Sequence, residues 1–136
     1  FVDTNVLVYA HDASAGEKRS VARSLLERLW NRGEACASIQ VLQEFYVTVT
    51  RKAPHRLGSG EAAGIVRNLA AWVIFVPGFD DVMAAIDLQQ RLQISFWDAM
   101  ILRSAVELDC ELIWSEDLNA GQVYEGVSVA NPFTAV

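Results

Sequence analysis

Asp3, Glu44, Asp98 and Asp117 are the residues of this chain that could do chemistry together. Asp3 follows the buried-looking pair Phe1-Val2, and Asp117 follows the apolar stretch that ends at Trp114. Carboxylates placed after strands of one parallel sheet fall at the same edge, where such sheets bind ligands. Glu44 lies a turn and a half into a helix that follows a short strand, and Asp98 lies in the first turn of a helix opened by Ser95. Both can face that edge. Like charges brought to about 4 Å repel by roughly 4 kcal/mol at an effective dielectric of about 20, so four gathered carboxylates need protons or a cation. Their oxygen ligands suit a hard divalent ion, Mg²⁺ or Mn²⁺.

Each acid also has an ordinary structural use. Ser95-x-x-Asp98 is a capping-box pattern, Asp3 could cap the turn after it through the amide of Asn5, and Asp117 could make an Asx-turn. Glu44 could be a solvated position on an amphipathic helix. Their joint placement is what favours chemistry. Asp12, Asp80 and Asp81 fit helix starts, where carboxylates offset the positive dipole end. Other chemistries find little support. His11 and His55 stand apart from any Ser or Cys nucleophile motif, Gly58-Ser59-Gly60 lacks the dinucleotide spacing and a preceding buried strand, and no phosphate-binding P-loop is present.

The elements that must position the acids follow from periodicity and punctuation. Phe1-Val2 reads as the end of a buried strand, with a turn carrying Val6-Leu7-Val8. Glu17 to Arg32 is an amphipathic helix stopped by Gly33. Ala35 to Ala37 is a short strand, and Ser38 caps a helix expected to run through Lys52 before Pro54 ends it. Ser59 to Ala71 reads as a helix and Trp72 to Val76 as a strand bounded by Pro77-Gly78. Asp80 is an apt N-cap for a helix to about Arg91, and Ser95 for the next. Glu111 to Trp114 reads as a strand, Ser115 to Gly121 as a polar loop, and Val127 to Val129 as a last strand. Short apolar strands alternating with helices predict an α/β fold, a parallel sheet of four to five strands with helices on both faces.

Composition agrees with one such domain. The 136 residues are 52% hydrophobic and 21% charged, enough to bury a core and too few residues for two ordinary domains. The longest apolar run, Leu69 to Val76, is eight residues, against roughly 20 for a membrane-spanning helix. No signal-peptide pattern opens the sequence, so a cytoplasmic location is expected. Cys36 and Cys110 lack C-x-x-C spacing and read as small buried hydrophobes. The net charge is −6, but residues 1–68 carry +2 and residues 69–136 carry −8. That asymmetry argues against a general nucleic-acid coat while leaving room for a basic groove or an acidic cation site.

Four blocks carry a family resemblance: Phe1-Val2-Asp3-Thr4-Asn5-Val6-Leu7, Gln43-Glu44-Phe45, Phe96-Trp97-Asp98-Ala99-Met100-Ile101 and Ser115-Glu116-Asp117-Leu118. Together they resemble a PIN-domain ribonuclease, and most closely the VapC toxins of type II toxin–antitoxin modules, across nearly the whole chain. The resemblance implies a single Rossmann-like PIN domain over residues 1–136. It also implies an Mg²⁺ or Mn²⁺ site built from Asp3, Glu44, Asp98 and Asp117, with supporting roles for Asn5 and Ser115. The implied activity is metal-dependent endoribonuclease hydrolysis of RNA phosphodiesters, and the implied partners are the RNA substrate, a cognate antitoxin and a second copy in a homodimer. Arg51, Lys52 and Arg56, after the helix that carries Glu44, are candidate RNA contacts, although cations at a helix end also offset its dipole. Two alternatives compete. A phosphotransfer domain of the receiver or dehalogenase type would want a late lysine, yet the only lysines are Lys18 and Lys52. A catalytically silent PIN-like module that binds RNA or protein would be expected to have lost one of the four acids.

Overall fold

The computed structural model describes all 136 residues, Phe1 to Val136. Its first helix, α1 (Thr4–His11), occupies the segment expected to be a turn. Val6, Leu7 and Val8 are buried there, so tertiary burial overrides the modest helix propensity of β-branched residues. Next come α2 (Glu17–Arg32), β1 (Cys36–Ser38) and α3 (Ile39–Val47). A π turn over Thr48–Lys52 continues α3 where an unbroken α-helix was expected. After it lie α4 (Ser59–Leu69), β2 (Val73–Phe75), α5 (Phe79–Leu92) and α6 (Phe96–Glu107). The chain closes with β3 (Leu112–Trp114), β4 (Val123–Tyr124) and β5 (Val127–Ala130).

β1 pairs in parallel with β2, and β3 pairs in parallel with β5. The first residues stitch these two ladders together. Val2 N–H donates to the Cys36 carbonyl at 3.0 Å, and Asp3 N–H donates to the Trp114 carbonyl at 3.0 Å. Val2 forms a parallel bridge with Trp114. The spatial order is therefore β2, β1, the Phe1–Asp3 segment, β3, β5 and β4. β4, which sequence reasoning missed, runs antiparallel to β5. Two residues between Gly121 and Gly126 are too few to show a period. The sheet is otherwise parallel, as expected.

Thirty-one buried hydrophobic residues form one core, with Leu7, Phe45, Leu102 and Ile113 fully enclosed. α1 packs on α2 and α3, while α5 packs on α6, which in turn touches β1 and β5. Two expected caps are placed differently. Gly78, not Asp80, is the N-cap of α5, and the Asp81 carboxylate accepts from the Gly78 amide at 2.8 Å. Asp12 closes α1 instead of opening α2, accepting from the Ser14 amide at 2.8 Å. No helix is long and apolar enough to cross a membrane.

Candidate active site

Asp3 ends the first strand segment and caps α1, its Oδ1 accepting from the Thr4 amide at 2.7 Å rather than from that of Asn5. Because it lies between two strands at their carboxyl ends, it is only 5% exposed. Its other oxygen takes the Ser115 hydroxyl at 2.7 Å. Ser115 is wholly buried and also accepts from the amides of Asp117 and Leu118, at 3.1 and 3.2 Å. One hydroxyl therefore fixes both the first acid and the turn that presents the last. Asn5, in the first turn of α1, completes the tie. Its Nδ2 donates to Asp117 Oδ2 at 3.1 Å and to Asp3 Oδ2 at 3.3 Å, and its Oδ1 accepts from the Glu116 amide at 3.1 Å. Asn5 and Ser115 thus hold Asp3 and Asp117 together.

Glu44 reaches the same edge from α3, which Ser38 caps through the Val41 amide at 3.3 Å. Two residues that sequence reasoning missed orient it. Thr4 Oγ1 donates to Glu44 Oε2 at 2.7 Å, and Gln40 Nε2 donates to Glu44 Oε1 at 2.8 Å. Gln40 also holds the Trp97 carbonyl at 3.2 Å, beside Asp98 on α6. Its buried Oε1 has no partner. The one available sequence signal was Gln40's position one turn before Glu44, which suits an i,i+4 pair. Asp98 sits in the first turn of α6, and the capping pattern there is satisfied by Ser95, whose hydroxyl accepts from the Asp98 amide at 3.0 Å. The cap uses the backbone of Asp98.

The electrostatics join all four acids. Burial pushes the Asp3 carboxyl up to about 6, opposed by hydrogen bonds from Ser115 and Thr4 and reinforced by the charges of Asp117 and Glu44. Burial also raises Asp98, with the Ser95 hydroxyl opposing and Asp117 and Glu44 adding to the rise. The side chains rest on Thr4, Gln40, Asn5 and Ser115, and no three of the acids converge into a finished ligand set. The donor chemistry nevertheless fits a hard divalent cation. A buried carboxylate carries an elevated proton affinity beside two further carboxylates, and an unpartnered amide oxygen lies within the same group. A cleft of about 530 Å³ lined by His11, Arg19, Arg23 and Glu61 lies elsewhere, and none of the four acids lines it. Arg51 and Lys52 end the π turn and Arg56 follows Pro54; all three are exposed.

Asp3 binds its proton more tightly folded than unfolded. The metal-free protein is therefore expected to lose stability as pH rises from about 4 to about 6. Ser115→Ala should carry that window to higher pH by removing the donor that favours the carboxylate. The variant should also cost about 1–3 kcal/mol, because the Asp117 and Leu118 amides lose their acceptor. Urea unfolding at successive pH values checks both effects; an unmoved window would mean that Ser115 does not act on Asp3.

A family model described as the PIN domain matches residues 1–126. No curated protein matches the sequence. Among solved structures, the fold is similar to that of Mycobacterium tuberculosis VapC20, described as a sarcin–ricin loop cleaving toxin. The TM-score is 0.67 at 22% sequence identity, over 86% of this chain and 88% of that one.

Proposed function

The chain belongs to the PIN domain family, and on that premise we propose that it is a metal-dependent endoribonuclease, the toxin of a toxin–antitoxin pair. The observation that carries the reading is the union of Asp3 and Asp117 through Asn5 and Ser115, with Glu44 and Asp98 in electrostatic reach. Asp3, Asp98 and Asp117 would hold Mg²⁺ or Mn²⁺, with Glu44 as a further ligand or as the base that orients water. When bound, the ion supplies Lewis acidity to the phosphodiester and to the attacking water. The chain's own residues do the rest. Thr4 and Gln40 aim the Glu44 carboxylate, and a carboxylate so held can take a proton from water. Asn5 and Ser115 keep Asp3 and Asp117 from separating under their mutual repulsion.

The wider reading includes a cognate antitoxin, a homodimer and a cytoplasmic site of action. The similarity to VapC20, a sarcin–ricin loop cleaving toxin, makes that loop one substrate to try. The direct test is incubation of total cellular RNA with purified protein and Mn²⁺, followed by mapping of the new ends. Breaks at defined sites support an endoribonuclease, whereas RNA binding without breaks would favour a silent binding module. Expression that arrests growth, relieved by a short neighbouring reading frame, would support the toxin assignment.

An acidic protein that grips RNA needs its positive charge in the right place. Arg51, Lys52 and Arg56 are exposed and enter none of the ion pairs, so they are free for phosphates. Each phosphate contact on a single strand contributes about −0.7 to the slope of log affinity against log salt. Changing all three to Gln is expected to flatten that slope by up to about 2 and to weaken binding most at low salt, with metal binding intact. A salt titration with Ca²⁺ replacing the active ion reads the slope. If the triple variant keeps the parental value, the RNA path lies elsewhere.

A further inference from the structure

Cys36, buried on β1, and Cys110, half-buried in the turn between α6 and β3, are 74 residues apart in sequence, yet their Sγ atoms stand 3.1 Å apart. Sulfurs that close exceed no reach a disulfide would have to span, because bonding needs an approach of only about 1 Å more, to roughly 2.05 Å. The contact is also held from both sides. Cys36 is in register with Val73 of β2 and its carbonyl takes the Val2 amide. Cys110 is fixed by its amide on the Ala105 carbonyl at 2.9 Å. Two thiols that a folded core has already brought together have a high effective concentration for each other, which favours the closed disulfide over a mixed one.

We propose that Cys36 and Cys110 form a reversible intramolecular disulfide, a redox modification site that locks β1 to the α6–β3 turn. Cys36 opens β1, and Cys110 precedes β3 by two residues, so the bond closes at the amino ends of strands whose carboxyl ends lead to Glu44 and Asp117. It clamps the base of the sheet and touches none of the four acids. The proposal does not rest on the ribonuclease reading.

The oxidant is a small-molecule disulfide. The thiolate of one cysteine attacks a sulfur of that disulfide, forming a mixed disulfide and releasing the first small thiolate. The second cysteine, as thiolate, then attacks the protein sulfur of the mixed disulfide, closing the Cys36–Cys110 bond and releasing the second small thiolate. The two cysteines lose two electrons, the reagent gains them, and the two cysteine protons end on the two released thiols. Dithiothreitol runs the sequence backwards.

The test equilibrates the purified full chain with oxidised glutathione, quenches it with acid, and alkylates it under denaturing conditions before mass spectrometry. The expected product is lighter by two hydrogens, takes no alkyl group and melts higher by roughly 10 °C than the reduced chain. Dithiothreitol restores both thiols and the lower melting point. Cys36→Ser and Cys110→Ser should each stop at a glutathione adduct and lose the oxidation-linked rise. Two alkylated thiols in the wild type, or glutathione adducts without the internal bond, would overturn the proposal. That readout is made on the wild-type chain and stands whether or not the variants fold.

Discussion

Asp98→Asn is expected to lower RNA cleavage by at least about a hundredfold while changing stability by less than about 0.5 kcal/mol. Removing a partner that merely supports a metal ligand costs about 10–100-fold, and the proposed role of Asp98 is that of a ligand. The small stability change follows from the cap. Ser95 caps α6 through the Asp98 backbone amide, which asparagine retains. Ending the burial of a charge and its repulsion by Asp117 and Glu44 offsets the lost attraction of a first-turn carboxylate to the positive end of the helix. Cleavage rate and melting temperature measured on one preparation decide the matter. Full activity with a lowered melting point would make Asp98 a capping residue and nothing more.

The second large effect is thermal. Mn²⁺ at a hundred times its dissociation constant should contribute about 2.7 kcal/mol, a rise in melting temperature of roughly 5–15 °C for a chain of this size. The gain exists because folding gathers the carboxylates, which the unfolded chain leaves apart. Asp3→Asn should abolish it. The rise should also be larger at pH 8 than at pH 5, since a proton on Asp3, whose carboxyl is pushed up to about 6, competes with the cation. Scanning fluorimetry of the two proteins at both pH values reads all of this. An equal rise in wild type and variant would remove Asp3 from the site.

Residues whose contacts lie within one segment leave a signal in the sequence, and those whose contacts cross segments do not. The acids could be placed at one sheet edge because strands and helices are punctuated plainly. Gly33 stops α2, Ser38 and Ser95 cap α3 and α6, and Pro77-Gly78 ends β2. The helix α1 was not legible, because Val6-Leu7-Val8 shows no 3.6-residue period and the helix rests on enclosure by α2 and α3 together with the Asp3 cap. That error hid why Asn5 matters. In a turn its amide is one more local hydrogen-bonding group, whereas in the first turn of α1 it spans Asp3 and Asp117. Thr4 escaped because it reaches Glu44 from α1 across to α3, and no spacing in one segment reports a contact between two. Gln40 stands one turn before Glu44 on the same helix, a spacing shared by any ordinary pair on a helix face. Of the two cysteines expected to be buried, Cys36 is and Cys110 is half-buried, and their approach depends on the register of β1 and the turn before β3, which no local spacing reports.

If Asp3, Glu44, Asp98 and Asp117 form one divalent-metal site, the anomalous scattering of Mn²⁺ in crystals of the wild-type protein locates the ion among them. A peak is expected in contact with the carboxylates of Asp3, Asp98 and Asp117 and within reach of Glu44, absent from crystals of Asp3→Asn. A peak bound elsewhere, or none at an Mn²⁺ concentration that raises the melting temperature, would mean that the four acids do not hold the metal.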